Sequence, residues 1–97
     1  MVKHIVMFRF DGTEGERREC GERFKAALCA LPGQIECLES IEVGLNGNPA
    51  ESWDLVLTAV VPTMEDVAVY AKHPAHVAAA GLVKGHVAER ACVDYCA

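Results

Sequence analysis

The amino-acid sequence predicts an α+β protein of the ferredoxin-like type, with element order βαββαβ and one antiparallel four-stranded sheet. Three observations carry that prediction. Four segments alternate their side chains with period two, as strands do. Segments with helical spacing and N-cap signals follow the first and third of them. The strands are also apolar on both faces, although helices of such a fold cover only one. The chain has 97 residues, of which 52% are hydrophobic. That suits a single domain over residues 1–97 and is too apolar for disorder.

Val2 to Phe10 reads as the first strand, with Val2, His4, Val6, Phe8 and Phe10 on one side and Lys3, Ile5, Met7 and Arg9 on the other. Asp11-Gly12 is a turn. Thr13 and Glu16 form a capping box, and the helix they open runs to about Ala30. Its apolar stripe is Cys20, Phe24, Ala27, Leu28 and Leu31, while Glu14–Arg18 and Glu19–Arg23 are expected as solvated i,i+4 pairs. Pro32-Gly33 stops it. Leu38 to Asn46 is the second strand, and Asn46-Gly47-Asn48-Pro49 begins a loop longer than a tight hairpin. Trp53 to Val61 is the third strand. Thr63 caps a short helix over about 64–71, a second short helix covers roughly 75–84, and Ala88 to Tyr95 is the last strand. Right-handed crossovers then give the strand order 4-1-3-2.

The break between the two short helices lies in Tyr70-Ala-Lys-His-Pro-Ala-His76. Pro74 fixes its own φ and drives His73 toward extended geometry, so one helix ends there and another begins. Tyr70, His73 and His76 therefore surround a bend.

The net charge of −5, with nine scattered basic residues, excludes the clustered cations that nucleic-acid binding needs. No apolar run reaches the length of a membrane span, and no signal peptide precedes the first strand, so no membrane partner and a cytoplasmic location are expected. Five cysteines without a Cys-x-x-Cys pair read as reduced thiols. Cys20 and Cys29 are expected as small buried apolar residues, and Cys92 and Cys96 share one strand face. The apolar second sheet face, with Ile5, Met7, Val56 and Val60, predicts association with a second copy, a symmetric homodimer.

The opening Met-Val-Lys-His-Ile-Val-Met-Phe, Leu-Pro-Gly at 31–33, Val-Gly-Leu-Asn at 43–46, Trp-Asp-Leu-Val-Leu at 53–57, Tyr-x-x-His-Pro-x-His at 70–76 and Val-Asp-Tyr at 93–95 occur in order along nearly the whole chain. In these the chain resembles the stress-responsive A/B barrel (Dabb) family of dimeric α/β barrels. The resemblance implies a homodimer whose two sheets close an eight-stranded barrel. The chain is also similar to the family's plant polyketide cyclases of the olivetolic acid cyclase type. By that resemblance Tyr70 and His76 are the catalytic pair of an aldol cyclisation, and His4 and Asp94 are pocket residues. Leu55 stands where those cyclases have another pocket histidine.

The residues support several roles directly. His76 titrates near neutrality and suits a general base. Tyr70 can polarise a carbonyl through its O–H, or be an amphipathic core residue. His73 and Pro74 make the structural bend, with His73 expected to bond a free helix-end carbonyl. His4 and Asp94 meet if the first and last strands are antiparallel neighbours, as a catalytic or a purely structural pair. The small run Ala78-Ala79-Ala80-Gly81 leaves room for an apolar pocket lined by Val6, Phe8, Phe24, Leu55, Leu57 and Val83, fit for a small hydrophobic ligand. His73 and His76 lack a third metal ligand at fixed spacing, and no phosphate loop, nucleophile elbow or flavin signature is present, so neither metal nor cofactor is expected. The leading expectation is a pocket that binds or converts a hydrophobic carbonyl or phenolic metabolite by acid–base chemistry. The alternatives are a non-enzymatic structural protein acting through its assembly and a cofactor-free monooxygenase of the dimeric-barrel type.

Overall fold

Alternation along the first strand organises the protein. The computed structural model describes residues 1–97, and in it β1 (Val2–Phe10) buries Val2, His4, Val6, Phe8 and Phe10 on the side covered by helices. β1 is a central strand because it is apolar on both sides. It pairs antiparallel with β3 (Leu55–Val61) and with β4 (Val87–Cys96), and β2 (Ser40–Leu45) completes the order β2-β3-β1-β4. This is the expected α+β ferredoxin-like sheet with the expected strand order.

Helix α1 (Glu14–Cys29) begins at the Thr13–Glu16 capping box. The Glu16 N–H donates to Thr13 Oγ1 at 3.2 Å, and the Thr13 N–H donates to Glu16 Oε1 at 2.9 Å. It buries Gly21, Phe24 and Leu28. Gly21 is required by close approach: a Cβ there would lie 3.0 Å from Leu45 Cδ2 of β2. Two expectations are corrected on this helix. Arg18 pairs with Glu22 at 3.5 Å, not with Glu14, and Arg23 has no ion pair with Glu19. Exposed pairs of this kind are worth only about 0.2–0.5 kcal/mol, so little separates the choices. Cys29 is exposed rather than buried, because it lies one residue round the helix from Leu28 and off the stripe.

β2 and β3 are shorter than expected, although the backbone just beyond them still bonds across, Glu39 N–H to Val60 O, Asn46 N–H to Asp54 O and Asp54 N–H to Phe8 O. The Asn46 amide donates to Asn48 O and Glu51 O in the loop. Asp54 accepts the Phe10 N–H at 2.8 Å and the Arg17 Nε–H at 3.4 Å, tying the end of β1 to α1. Helices α2 (Met64–Lys72) and α3 (Pro74–Gly81) follow β3. α3 rests mainly on α1 and α2, with Ala79 buried in the core. It ends at Gly81, short of the expected 84, where the turn through Gly85 at φ +88° leads into β4.

Side chains with odd numbers in β1 form the other sheet face. Ile5 lies in register with Thr58 and Val93, and Met7 with Val56 and Ala91. Val56, Val93 and Tyr95 on this face are 40%, 63% and 42% exposed, so nothing in the chain covers it.

Candidate functional site

One residue separates α2 from α3. His73 is extended (φ −61°, ψ 136°) and caps both helices. Its backbone N–H donates to Tyr70 O at 3.2 Å, and its ring Nδ1 accepts the Ala75 N–H at 3.0 Å. Pro74 has no N–H to satisfy at the first helical position. The exposed-carbonyl role expected of His73 falls instead to His76, whose ring Nδ1 lies 2.9 Å from Ala71 O. The His73 ring is engaged forward, on the first turn of α3.

A carbonyl oxygen only accepts, so Nδ1 of His76 carries the proton and Nε2 keeps a free lone pair. Burial holds the His76 pKa below its usual value, and the neighbouring His4 and Arg90 act in the same direction against the opposing Ala71 bond. His76 is thus a neutral base near pH 7.

Tyr70 is fully buried at 0% exposure, and its ring lies 4.6 Å from that of His76 and 5.7 Å from that of His4. Its hydroxyl has no hydrogen-bond partner in the protein. Burial pushes its pKa up to about 12, so the group is a donor at neutral pH. Behind His4, the Nδ1–H donates to Asp94 Oδ1 at 2.5 Å across the β1–β4 ladder, where the two residues are in direct register. Cys92, two residues along the same face, adds an S–H donated to Asp94 at 3.6 Å. Burial, then the Asp94 charge, raises the thiol pKa and keeps it protonated. These three donor atoms lie within 4.8 Å of one another. The 2.5 Å N–O contact nevertheless belongs to a hydrogen bond, since two such ligands on one tetrahedral zinc ion stand roughly 3.3 Å apart.

Between α3 and the sheet lies a cavity of about 630 Å³. β1 supplies His4, Val6 and Phe8, α1 supplies Phe24, β3 supplies Leu57, and α3 supplies His76, Val77, Ala80 and Gly81. Val83, Lys84, Gly85, Val87 and Arg90 complete the wall. Three expected positions stand outside it. Leu55 is core, in register with Phe8 and Leu45 at the end of the layer filled by the Phe8, Phe10 and Phe24 rings. Asp94 stands on the far side of His4, and Tyr70 stands behind the two histidines. Lys84, Arg90 and Cys92 were not singled out as site residues from sequence. A second hollow of about 570 Å³, lined by Arg9, Arg17, Asn48 and Asp54 among others, is polar and contains none of the histidines or Tyr70.

The ferredoxin-like layers with an apolar cavity under a bent helix pair define the α/β-barrel class of protein. Within that class the chain belongs to the stress-responsive A/B barrel domain family, whose sequence profile matches residues 2–97. A Bacteroides fragilis structure described as a dimeric protein of unknown function with a ferredoxin-like fold is 44% identical, with TM-score 0.92, over 97% of this chain and 93% of that one. An Arabidopsis thaliana protein is 25% identical, with TM-score 0.79, over 100% of this chain and 95% of its own. The hydroxynitrile lyase of Passiflora edulis shares the fold at 14% identity and TM-score 0.77, over 97% of this chain and 90% of its own. No curated protein matches the chain.

Proposed function

We propose that this chain works as a homodimer whose cavity binds a small hydrophobic carbonyl compound and moves a proton on it without a cofactor. The observation that carries this reading is the pairing of a neutral, singly anchored His76 with an orphan Tyr70 hydroxyl beside an apolar cavity. A buried hydroxyl without a partner costs about 1–3 kcal/mol, a cost relieved when a substrate oxygen accepts its hydrogen. His76 Nε2 takes a proton from the carbon next to the carbonyl. Tyr70 stands outside the lining of the empty cavity, so its O–H donates to the oxygen, as negative charge grows there, once the seated ligand parts the two histidine rings in front of it. Asp94 holds the His4 ring in one tautomer, so His4 presents Nε2 toward the Tyr70 side of the site. The carbanion so formed can close a ring or lose a leaving group, as in cyclases and lyases.

The uncovered apolar sheet face and the dimeric Bacteroides relative support the homodimer. A purely structural role calls for a filled interior, against which the cavity weighs. The test is proton–deuterium exchange at the α-carbon of hydrophobic ketones and β-diketones, followed by NMR. The expected outcome is exchange that falls by at least about 100-fold in His76→Ala, the lower end of general-base contributions. Equal exchange in the variant removes His76 from the chemistry.

A further inference from the structure

The cavity wall is charged in one sense only. The chain carries 14 acidic and nine basic residues, yet the lining includes Lys84 and Arg90 and no carboxylate. Neither cation takes part in an ion pair within the chain. Arg90 is in register with Phe8 across the ladder, so it points to the helix side of the sheet, and its charge reaches His76. Lys84 lines the same cavity from the turn between α3 and β4, which Gly85 closes at φ +88°. Of the two acids on β4, Asp94 is already taken by His4 and Cys92, and Glu89, on the other sheet face, pairs with Arg9. Both cations are solvent-exposed while Val6, Phe8, Phe24 and Leu57 are buried, so the cavity runs from a cationic mouth to an apolar floor.

We infer that the ligand of this cavity is an amphiphilic carboxylate, its apolar body on the β1 floor and its carboxylate held at the mouth by Arg90 and Lys84. The inference rests on the cavity being the ligand site and adds the substrate class to it. Guanidinium and ammonium groups are the side chains that hold a carboxylate by charge-assisted hydrogen bonds. The volume of about 630 Å³ falls within the roughly 300–1,000 Å³ of small-molecule sites. Anchoring the anion at the mouth leaves the other end of the ligand against His76. Arg90 and Lys84 are thus specificity-determining residues, and they take no part in the proton transfer.

The test uses 4-phenylbutyrate and the uncharged 4-phenylbutanol, which have the same apolar body, titrated calorimetrically into the whole protein at pH 7.5. The expected result is carboxylate binding at least about tenfold tighter than alcohol binding, the size of a charge-assisted hydrogen bond. The double variant Lys84→Gln, Arg90→Gln should lower carboxylate affinity to that of the alcohol and leave the alcohol unchanged. Both positions are solvent-exposed, and circular dichroism verifies the fold of the variant. Lys84→Glu, Arg90→Glu should turn the preference toward 4-phenylbutylamine. Equal binding of carboxylate and alcohol by the native chain, or a preference that survives both variants, overturns the anionic class and leaves the cavity reading intact. Binding of neither probe overturns both.

Discussion

Replacing Tyr70 by Phe should make the free protein more stable, the reverse of the usual outcome for a fully buried residue. The ring stays, and only a hydroxyl without a partner is lost. Deleting such a group removes a desolvation cost of about 1–3 kcal/mol. Against this stands the small void left by one oxygen, at about 24 cal/mol per Å³ roughly 0.5 kcal/mol. The net gain is about 1 kcal/mol, which for a domain near this size raises Tm by ~4–8 °C. Thermal unfolding at pH 7 and fixed protein concentration measures it, since association also shifts Tm. Alkaline pH adds a second reading. The folded-state pKa of about 12 exceeds the ordinary tyrosine value of 10.0, so between those values the folded state retains a proton that the unfolded chain releases. The Tyr70 contribution to stability is therefore whole below pH ~10 and is lost as pH rises toward ~12. Tyr70→Phe should remove that loss. The same substitution should weaken ligands whose oxygen accepts the O–H, a trade of function for stability. A lower Tm in Tyr70→Phe shows that the hydroxyl already has an acceptor, and the reasoning about a substrate oxygen then fails.

Below the ordinary histidine value of 6.5, the unfolded chain protonates His76 more readily than the folded one, so its contribution is present above that pH and lost as the solution is acidified. His76→Gln should flatten the fall in urea midpoint between pH 7 and 5. Val93→Asp places a charge on the open sheet face and should give a folded monomer by light scattering, and a persistent dimer would assign association to another surface. Gly21→Val should destabilise by about 1–3 kcal/mol in urea titration through overpacking against Leu45, and an unchanged midpoint would show that α1 shifts freely.

What was legible in the sequence follows the range of each interaction. Strand alternation and the capping boxes are local, and they were read nearly to the residue at β1 and at Thr13. The meeting of His4 with Asp94 was legible because antiparallel pairing of adjacent strands carries the start of one to the end of the other. Cys92 could have been found by the same ladder, two residues from Asp94 on the same side. The bond from His76 to Ala71 depends on the angle at His73, which the identity of Pro74 does not specify. Tyr70 was legible as amphipathic, but its lack of a partner is a property of everything around it. Lys84 and Arg90 carry no signal in the sequence, because exposure and enclosure of a cavity mouth are alike there. Leu55 and Leu57 share one alternation, and only the position of α3 separates a lining residue from a core residue.

The single-residue joint at His73 divides the labour of the two sheet sides. Val77, Ala80 and Gly81 hang from α3 over the cavity, while the open sheet side is built from β1, β3 and β4 alone. Diversity introduced at those α3 positions changes the cavity ceiling and leaves the open sheet face unaltered. For an engineer this is a scaffold with an exchangeable ceiling, in which the cavity can be varied combinatorially without touching the open sheet face.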